Sequence, residues 1–177
     1  VGSEMCIRDS LNTVKNASGG DVDKRKLDDV LAMGERTSVR IFAMVLETKS
    51  VESRYFDPLD QDWPIITDDS FSNANPVLEE CEKRIQQYVL PLVERGVVPV
   101  IAGFVGRTVD GEVTTLGRVG SDTTAFILAR ALRANEVILV TDSDGVMSAD
   151  PKIIDKPRRI PEIDVNSLVG LADSGTK

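Results

Sequence analysis

Arg118, Ser121 and Asp122 crowd one short, glycine-bounded segment of this 177-residue chain, and their types are those that hold anions. Gly117 and Gly120 flank Arg118, so the backbone can approach a ligand closely and turn its N–H groups toward negative charge. Ser121 and Asp122 then open an apolar pattern at Ala125, Leu128, Ala129 and Leu132, spaced for one face of a helix. The spacing predicts Ser121 as the N-cap, with Asp122 in the first turn complementing the helix dipole. Free amides at a helix N-terminus beside a guanidinium suit a carboxylate or a phosphate. The same segment also reads as a serine-capped surface loop, and the pattern alone leaves both readings open.

Composition narrows the chemistry. The chain has no histidine, which excludes Ser-His-Asp and Cys-His nucleophilic machinery and His-ligated zinc. What remains is work for Asp, Glu, Lys, Arg and backbone amides, and phosphoryl transfer fits because it depends mainly on positioning and charge stabilisation. A net charge of −8 argues against a general nucleic-acid surface, so an anionic substrate must be held by local positive charge. No apolar run approaches a membrane span, and two cysteines, Cys6 and Cys81, make no disulfide framework. With 41% hydrophobic and 28% charged residues, the chain reads as an ordinary soluble domain, expected in the cytoplasm.

The elements that must position the loop can be laid out around it. Val97–Ala102 is a continuous apolar run, predicted as a fully buried strand, and Val137–Val140 as a second strand ending on an acidic loop. Asp110-Gly111 marks a tight turn, so the runs on either side are expected to form a hairpin that lays residues 114–122 over the strand ends. Val30 to Leu46 reads as a long helix, with Val30, Met33, Thr37, Ile41, Met44 and Val45 near one face. Pro76 to Gly96 reads as another, kinked at Pro91. Pro64–Asp68 is a candidate short strand, and Val165–Ala172 a short helix. Strand, polar loop, helix, strand, acidic loop is the layout of an α/β sheet with its chemistry at the strand C-termini.

The words of this segment are themselves informative. Thr114-Thr115-Leu116-Gly117-Arg118-Val119-Gly120-Ser121-Asp122-Thr123-Thr124-Ala125 resembles the TTLGRGGSD-x-TA signature of aspartokinases. Gly103-Phe104-Val105-Gly106 is similar to that family's GF-x-G. Thr141-Asp142-Ser143-Asp144-Gly145 with Ala149-Asp150-Pro151-Lys152 is similar to its TDVDG…DPR. Met33–Ser38 resembles its GE-x-x-S element, and Leu168–Lys177 its EA-x-ELA-x-x-GAK. The resemblance runs from about Leu31 to Lys177.

It implies an α/β amino-acid-kinase fold: a three-layer α/β/α sandwich with a mainly parallel central sheet. It also implies ATP-dependent phosphorylation of the L-aspartate side-chain carboxylate, the first step toward lysine, threonine and methionine. Phe104, Arg118, Ser121 and Asp122 would hold aspartate, with Arg118 paired to its carboxylate. Asp122 would accept from its ammonium group, and Glu35 would contact the same group. Arg118 and Asp122 are the implied catalytic pair. Thr141, Asp142, Met147, Lys152 and Lys177 would line the ATP site, with Mg²⁺ as counterion and no assigned protein ligand for the metal. The parent protein is expected to be a homo-oligomer. Val119 departs from the family's glycine, Met147 from its tyrosine and Lys152 from its arginine.

Rival readings are separable. An EF-hand fails, since counting from Asp142 puts Gly145 fourth and Ile153 twelfth. A haloacid-dehalogenase-type phosphatase would use Asp142 as nucleophile, yet only 33 residues (177 − 144) follow Asp144. Glutamate, acetylglutamate or UMP kinases are nearer alternatives, against which the TTLGR-x-GSD wording argues. A ligand-binding remnant without catalysis is the non-enzymatic alternative. Residues 1–15 fit nothing downstream and read as a non-native head, with 16–177 a partial catalytic domain. The family's opening KFGG strand with its lysine, and its C-terminal ACT domains, have no counterpart here. The chain alone is therefore expected to be catalytically weak.

Overall fold

Asp23 accepts a hydrogen bond from the Arg25 amide at 3.0 Å and so starts helix α1, Lys24–Thr48, in the computed structural model, which describes residues 23–140, 145–148, 158–164 and 167. Strand β1 (Ser53–Phe56) follows. It pairs in parallel with β2 (Val98–Ile101), Ser53 opposite Val98 and Phe56 opposite Ile101. Between them the chain crosses over through α2 (Leu78–Arg84), a π-helical turn (Ile85–Val89) and α3 (Leu90–Glu94). Strands β3 (Val105–Arg107) and β4 (Val113–Thr115) form an antiparallel hairpin, and α4 (Gly120–Leu132) ends the first of two compact units, residues 1–137. The second unit is residues 138–177.

The core of the first unit gathers Trp63, Phe56, Ile65, Ile85, Val89 and Val105, all essentially inaccessible to water. Cys81 lies among them. Its Sγ accepts from the Ile66 amide and donates to the Ile66 carbonyl, each at 3.2 Å, and burial pushes the thiol's pKa up. It is an inert packing residue.

The predicted hairpin is present, with Gly111 at φ 97° in its turn. Where a kink is expected at Pro91, the helix carries a π-helical turn just upstream, in which Leu90 N–H bonds the Ile85 carbonyl in an i→i−5 step. Proline has no N–H to give and its ring crowds the carbonyl four residues back, so the widened turn absorbs the mismatch upstream. Pro64–Asp68 forms two isolated bridges, Ile66 with Arg107 and Thr67 with Pro76.

Three expectations are corrected. The face of α1 that packs inward is Asp28, Ala32, Val39 and Ala43, whereas Met33, Ile41 and Met44 are exposed. Small residues let the helix backbone come close to the strands beneath it; the larger apolar side chains point outward. Strand β2 is only part-buried, with Val98 exposed. Val137–Val140 is not a strand: these residues pair with no described residue, and Val140 is 92% exposed. A run of β-branched residues makes a strand only where a partner can take its backbone hydrogen bonds. The helix expected at 165–172 and the head at 1–15 lie outside the described residues.

Candidate active site

The hairpin delivers the glycine-bounded loop. Gly106 lets β3 pass close to two threonines: a Cβ there would lie 2.4 Å from Thr67 Cγ2 and 2.7 Å from Thr114 Oγ1. Those two hydroxyls are buried and hydrogen-bond each other at 2.7 Å. Next along β4, Thr115 is tied to α1. Its amide donates to Asp28 Oδ2 at 3.1 Å and its hydroxyl to Asp28 Oδ1 at 2.8 Å. The Ser72 amide donates to the same carboxylate at 2.8 Å. Burial pushes the Asp28 carboxyl upward, and the Ser72 and Thr115 donors bring it only part of the way back. Asp28 thus pins the root of the loop to α1. The Asn73 segment lies against Gly117, which sits at φ 71°; a Cβ on Gly117 would meet Asn73 Oδ1 at 2.3 Å.

Beyond Gly117 the loop is open. Arg118 is exposed and has no ion-pair partner among the described residues. Val119 takes the left-handed region, φ 61° and ψ 17°, and is the residue from which α4 starts. Ser121 is therefore not the N-cap. It stands one residue inside the helix, and no side chain caps the helix. The amides of Gly120, Ser121 and Asp122 consequently have no acceptor among the described residues. Three bare amides, the positive end of the helix dipole and Arg118 converge on one rim.

Phe104 closes the floor. It is buried and held at φ 68°, an uncommon conformation for a bulky residue, and its carbonyl accepts from Leu116 N at 2.9 Å. Gly120 and Gly103 allow this: a Cβ on Gly120 would come within 3.0 Å of the Phe104 ring, and one on Gly103 within 2.9 Å of Ser121 Cα. Such strain persists only where the surroundings over-determine it, as at ligand sites.

The structure therefore places Arg118, Ser121 and Asp122 on one loop and helix start, with Phe104, from the connection between β2 and β3, packed against Gly120. Glu35 is half-buried on α1, two turns along from Asp28. Its neighbour Arg36 bonds Asp57 at 3.1 Å, and Arg40 bonds it at 2.5 Å, which clamps α1 to the end of β1. Burial pushes the Asp57 carboxyl up, but the Leu59 amide and the two arginines more than reverse this, leaving its pKa below the usual value. Met147 belongs to the second unit. It forms an antiparallel bridge with Arg159, and Ile160 N bonds the Val146 carbonyl at 2.8 Å. Thr141, Asp142, Lys152 and Lys177 lie outside the described residues. Among the described residues no group of three carboxylates or cysteines is arranged to hold a metal, and no helix is long and apolar enough to cross a membrane.

Sequence reading missed Asp28 and Asp57. The signal for Asp28 was its spacing with Ala32, Val39 and Ala43, a stripe of small residues that a search for large apolar ones passes over.

The strand–hairpin–helix frame with its uncapped helix start defines a class. The amino acid kinase family profile matches residues 3–177, and this chain belongs to that family. It is 37% identical over 150 residues to an aspartokinase of Rickettsia bellii, covering 85% of this chain and 35% of that protein. To an aspartokinase of Thermus thermophilus it is 37% identical over 153 residues, covering 86% and 36%. The fold superposes on E. coli aspartokinase III in complex with aspartate and ADP, with a TM-score of 0.79, 29% identity and coverage of 96% and 37%. The same enzyme with lysine and aspartate gives a TM-score of 0.69 at 30% identity, covering 90% and 35%. The chain thus spans little more than a third of the relatives it matches.

Proposed function

We propose that the chain carries the aspartate-binding part of an aspartate kinase. The observation that carries this reading is the uncapped start of α4, where three amides and an exposed Arg118 find no partner among the described residues, with a strained, buried Phe104 packed against Gly120. Aspartate is a small zwitterion with two carboxylates. Arg118 pairs with one as a bidentate fork, while Asp122 and Glu35 offer acceptors to the ammonium. The second carboxylate faces the helix amides, where its charge and that of an incoming phosphoryl group are offset.

In the complete protein the side-chain carboxylate oxygen attacks the γ-phosphorus of ATP. The new O–P bond forms as the bond to the β–γ bridging oxygen breaks, giving 4-phospho-L-aspartate and ADP. The nucleophile is already anionic, so no protein base is required. Catalysis rests on positioning and charge neutralisation. ATP enters with Mg²⁺ as co-substrate, and no described residue is assigned to the metal. Thr141, Asp142, Met147, Lys152 and Lys177 are proposed to line the nucleotide site.

The test is ADP release from MgATP with L-aspartate, glutamate, acetylglutamate or UMP, using this chain and a version extended with the family's opening strand. Aspartate-dependent turnover in the extended version, with binding but little turnover in this chain, is expected. Turnover with another acceptor, or no aspartate dependence in a folded extended protein, sinks the proposal.

A further inference from the structure

Well away in sequence from the aspartate loop, Arg84 on α2 and Arg107 on β3 share a groove of about 560 Å³. Each guanidinium is fixed from behind by backbone carbonyls. Arg84 Nε donates to the Trp63 carbonyl at 2.7 Å and its Nη2 to that of Gln61, and its plane lies over the Tyr88 ring, 5.2 Å from the centroid. Arg107 Nη1 donates to the Asp60 carbonyl at 2.6 Å. Both side chains are half-buried, and among the described residues neither is ion-paired to a carboxylate. Glu80, also on the wall, is paired with Lys83 at 3.6 Å. A guanidinium has five N–H donors, and carbonyls take up two on Arg84 and one on Arg107. Two formal positive charges thus stand in one concavity of a chain whose net charge is −8, held in place without being neutralised.

We propose that this groove binds a small multivalent oxyanion, a phosphorylated or polycarboxylate metabolite, at a site that shares no residue with the aspartate loop. The planar fork of arginine matches carboxylate and phosphate edges in bidentate fashion, and pinning both head groups in advance lowers the ordering cost of binding. The groove exceeds the needs of inorganic phosphate, and Ile66 and Tyr88 on its wall offer contact to an organic body.

Trp63, the chain's single tryptophan, lends its carbonyl to Arg84 and is the natural reporter. The experiment titrates the full chain with inorganic pyrophosphate and separately with citrate. Trp63 fluorescence and calorimetry are followed at low and at near-physiological salt. Saturable binding is expected, and the site reported by Trp63 is weakened at least tenfold in Arg107→Gln and in Arg107→Lys, which keeps the charge but loses the fork. It is expected to be unchanged in Arg130→Gln on α4 and in Arg118→Gln at the aspartate loop. Loss in Arg118→Gln with retention in both Arg107 variants would place the anion at the loop instead and overturn the proposal. So would equal weakening in all four variants, which marks unspecific charge attraction, or no saturable binding to the folded wild-type chain. A response to pyrophosphate alone identifies a phosphate ligand, and a response to citrate alone a polycarboxylate. Thermal melting of each variant verifies that it is folded. If Arg107→Gln does not fold, Arg107→Lys alone decides.

Discussion

Asp28 and Arg118 stand on either side of one short stretch, Thr115 to Gly117, and the chain treats their charges in opposite ways. Asp28 is fully buried and accepts three hydrogen bonds, from Ser72 N and from the amide and hydroxyl of Thr115. Arg118 is exposed and pairs with nothing described. Below Gly117 the Asp28 carboxylate and the Thr67 and Thr114 hydroxyls are answered within the fold, and the Ser72 hydroxyl is the exception, buried with no hydrogen-bond partner among the described residues. Above it, three helix amides and a guanidinium are left for a ligand. On the proposed function the anchor serves stability and the rim binding, so the comparison can be broken by any variant that moves both properties together.

The largest expected effect lies in the anchor. Asp28→Ala leaves two buried donors on Thr115 and a part-buried one on Ser72 without an acceptor, at about 1 kcal/mol each at the low end, so a loss of about 2–3 kcal/mol in chemical denaturation is expected. Asp28→Asn keeps an acceptor oxygen toward the two amides and should cost far less. The pH dependence separates Asp28 from the other buried carboxylate, Asp57. Asp28's folded pKa is raised above 3.8, so the protonated form is the better tolerated inside. Its contribution is fully present below the unfolded pKa and is lost as pH rises through the folded value. Asp57's folded pKa is lowered by Leu59 N, Arg36 and Arg40, so its contribution is present above 3.8 and is lost as pH falls through the folded value. Stability against pH should therefore lose its decline above about pH 4 in Asp28→Asn, and its steepest acid-side loss in Asp57→Asn. The same pH slope in both variants would contradict the assignment.

Next comes the rim. Arg118→Ala removes a charge-assisted fork, worth about 1.5–3 kcal/mol, so calorimetric aspartate affinity should fall by roughly ten- to a hundredfold. Because the side chain is exposed, thermal stability should move by no more than about 0.5 kcal/mol. A large stability loss in Arg118→Ala, or unchanged aspartate binding, erases the division between anchor and rim.

How much of this was legible in the sequence follows the same line. The rim was readable because its chemistry is local. Gly117, Arg118, Gly120 and Asp122 are neighbours in the chain, and the hairpin that carries them is announced by Asp110-Gly111. The anchor was not, because it is made across long separations: Asp28 meets Thr115, and Asp57 meets Arg36 and Arg40, only once α1 has packed. The misread face of α1 has the same origin. Apolar periodicity reports which faces are greasy, while burial is decided by which face a strand can approach. Val137–Val140 failed for want of a partner, which no local pattern encodes. The cap failed by a narrower margin. Ser121 is a good capping type, but the left-handed Val119 takes the cap position and starts the helix two residues early.

That residue supplies the smallest and sharpest effect. Val119 adopts φ 61° although its branched Cβ makes the left-handed region cost about 1–2 kcal/mol, and it is exposed enough that little packing is lost on removing it. Glycine takes this conformation without strain but brings back about 0.5–1 kcal/mol of backbone entropy in the unfolded chain. Val119→Gly is therefore expected to stabilise the chain by about 0.5–1 kcal/mol in thermal or chemical denaturation. Val119→Ala, which keeps the Cβ and the strain, should gain much less. Since Val119 sets the direction of the Gly120–Asp122 amides, Val119→Gly also asks whether the strain holds the rim in shape. Tighter aspartate binding together with the gain in stability would mean that valine only obstructs the approach to the loop. Weaker binding despite that gain would mean that the strained turn holds the amides in their binding geometry, and that stability and function part company at this one residue.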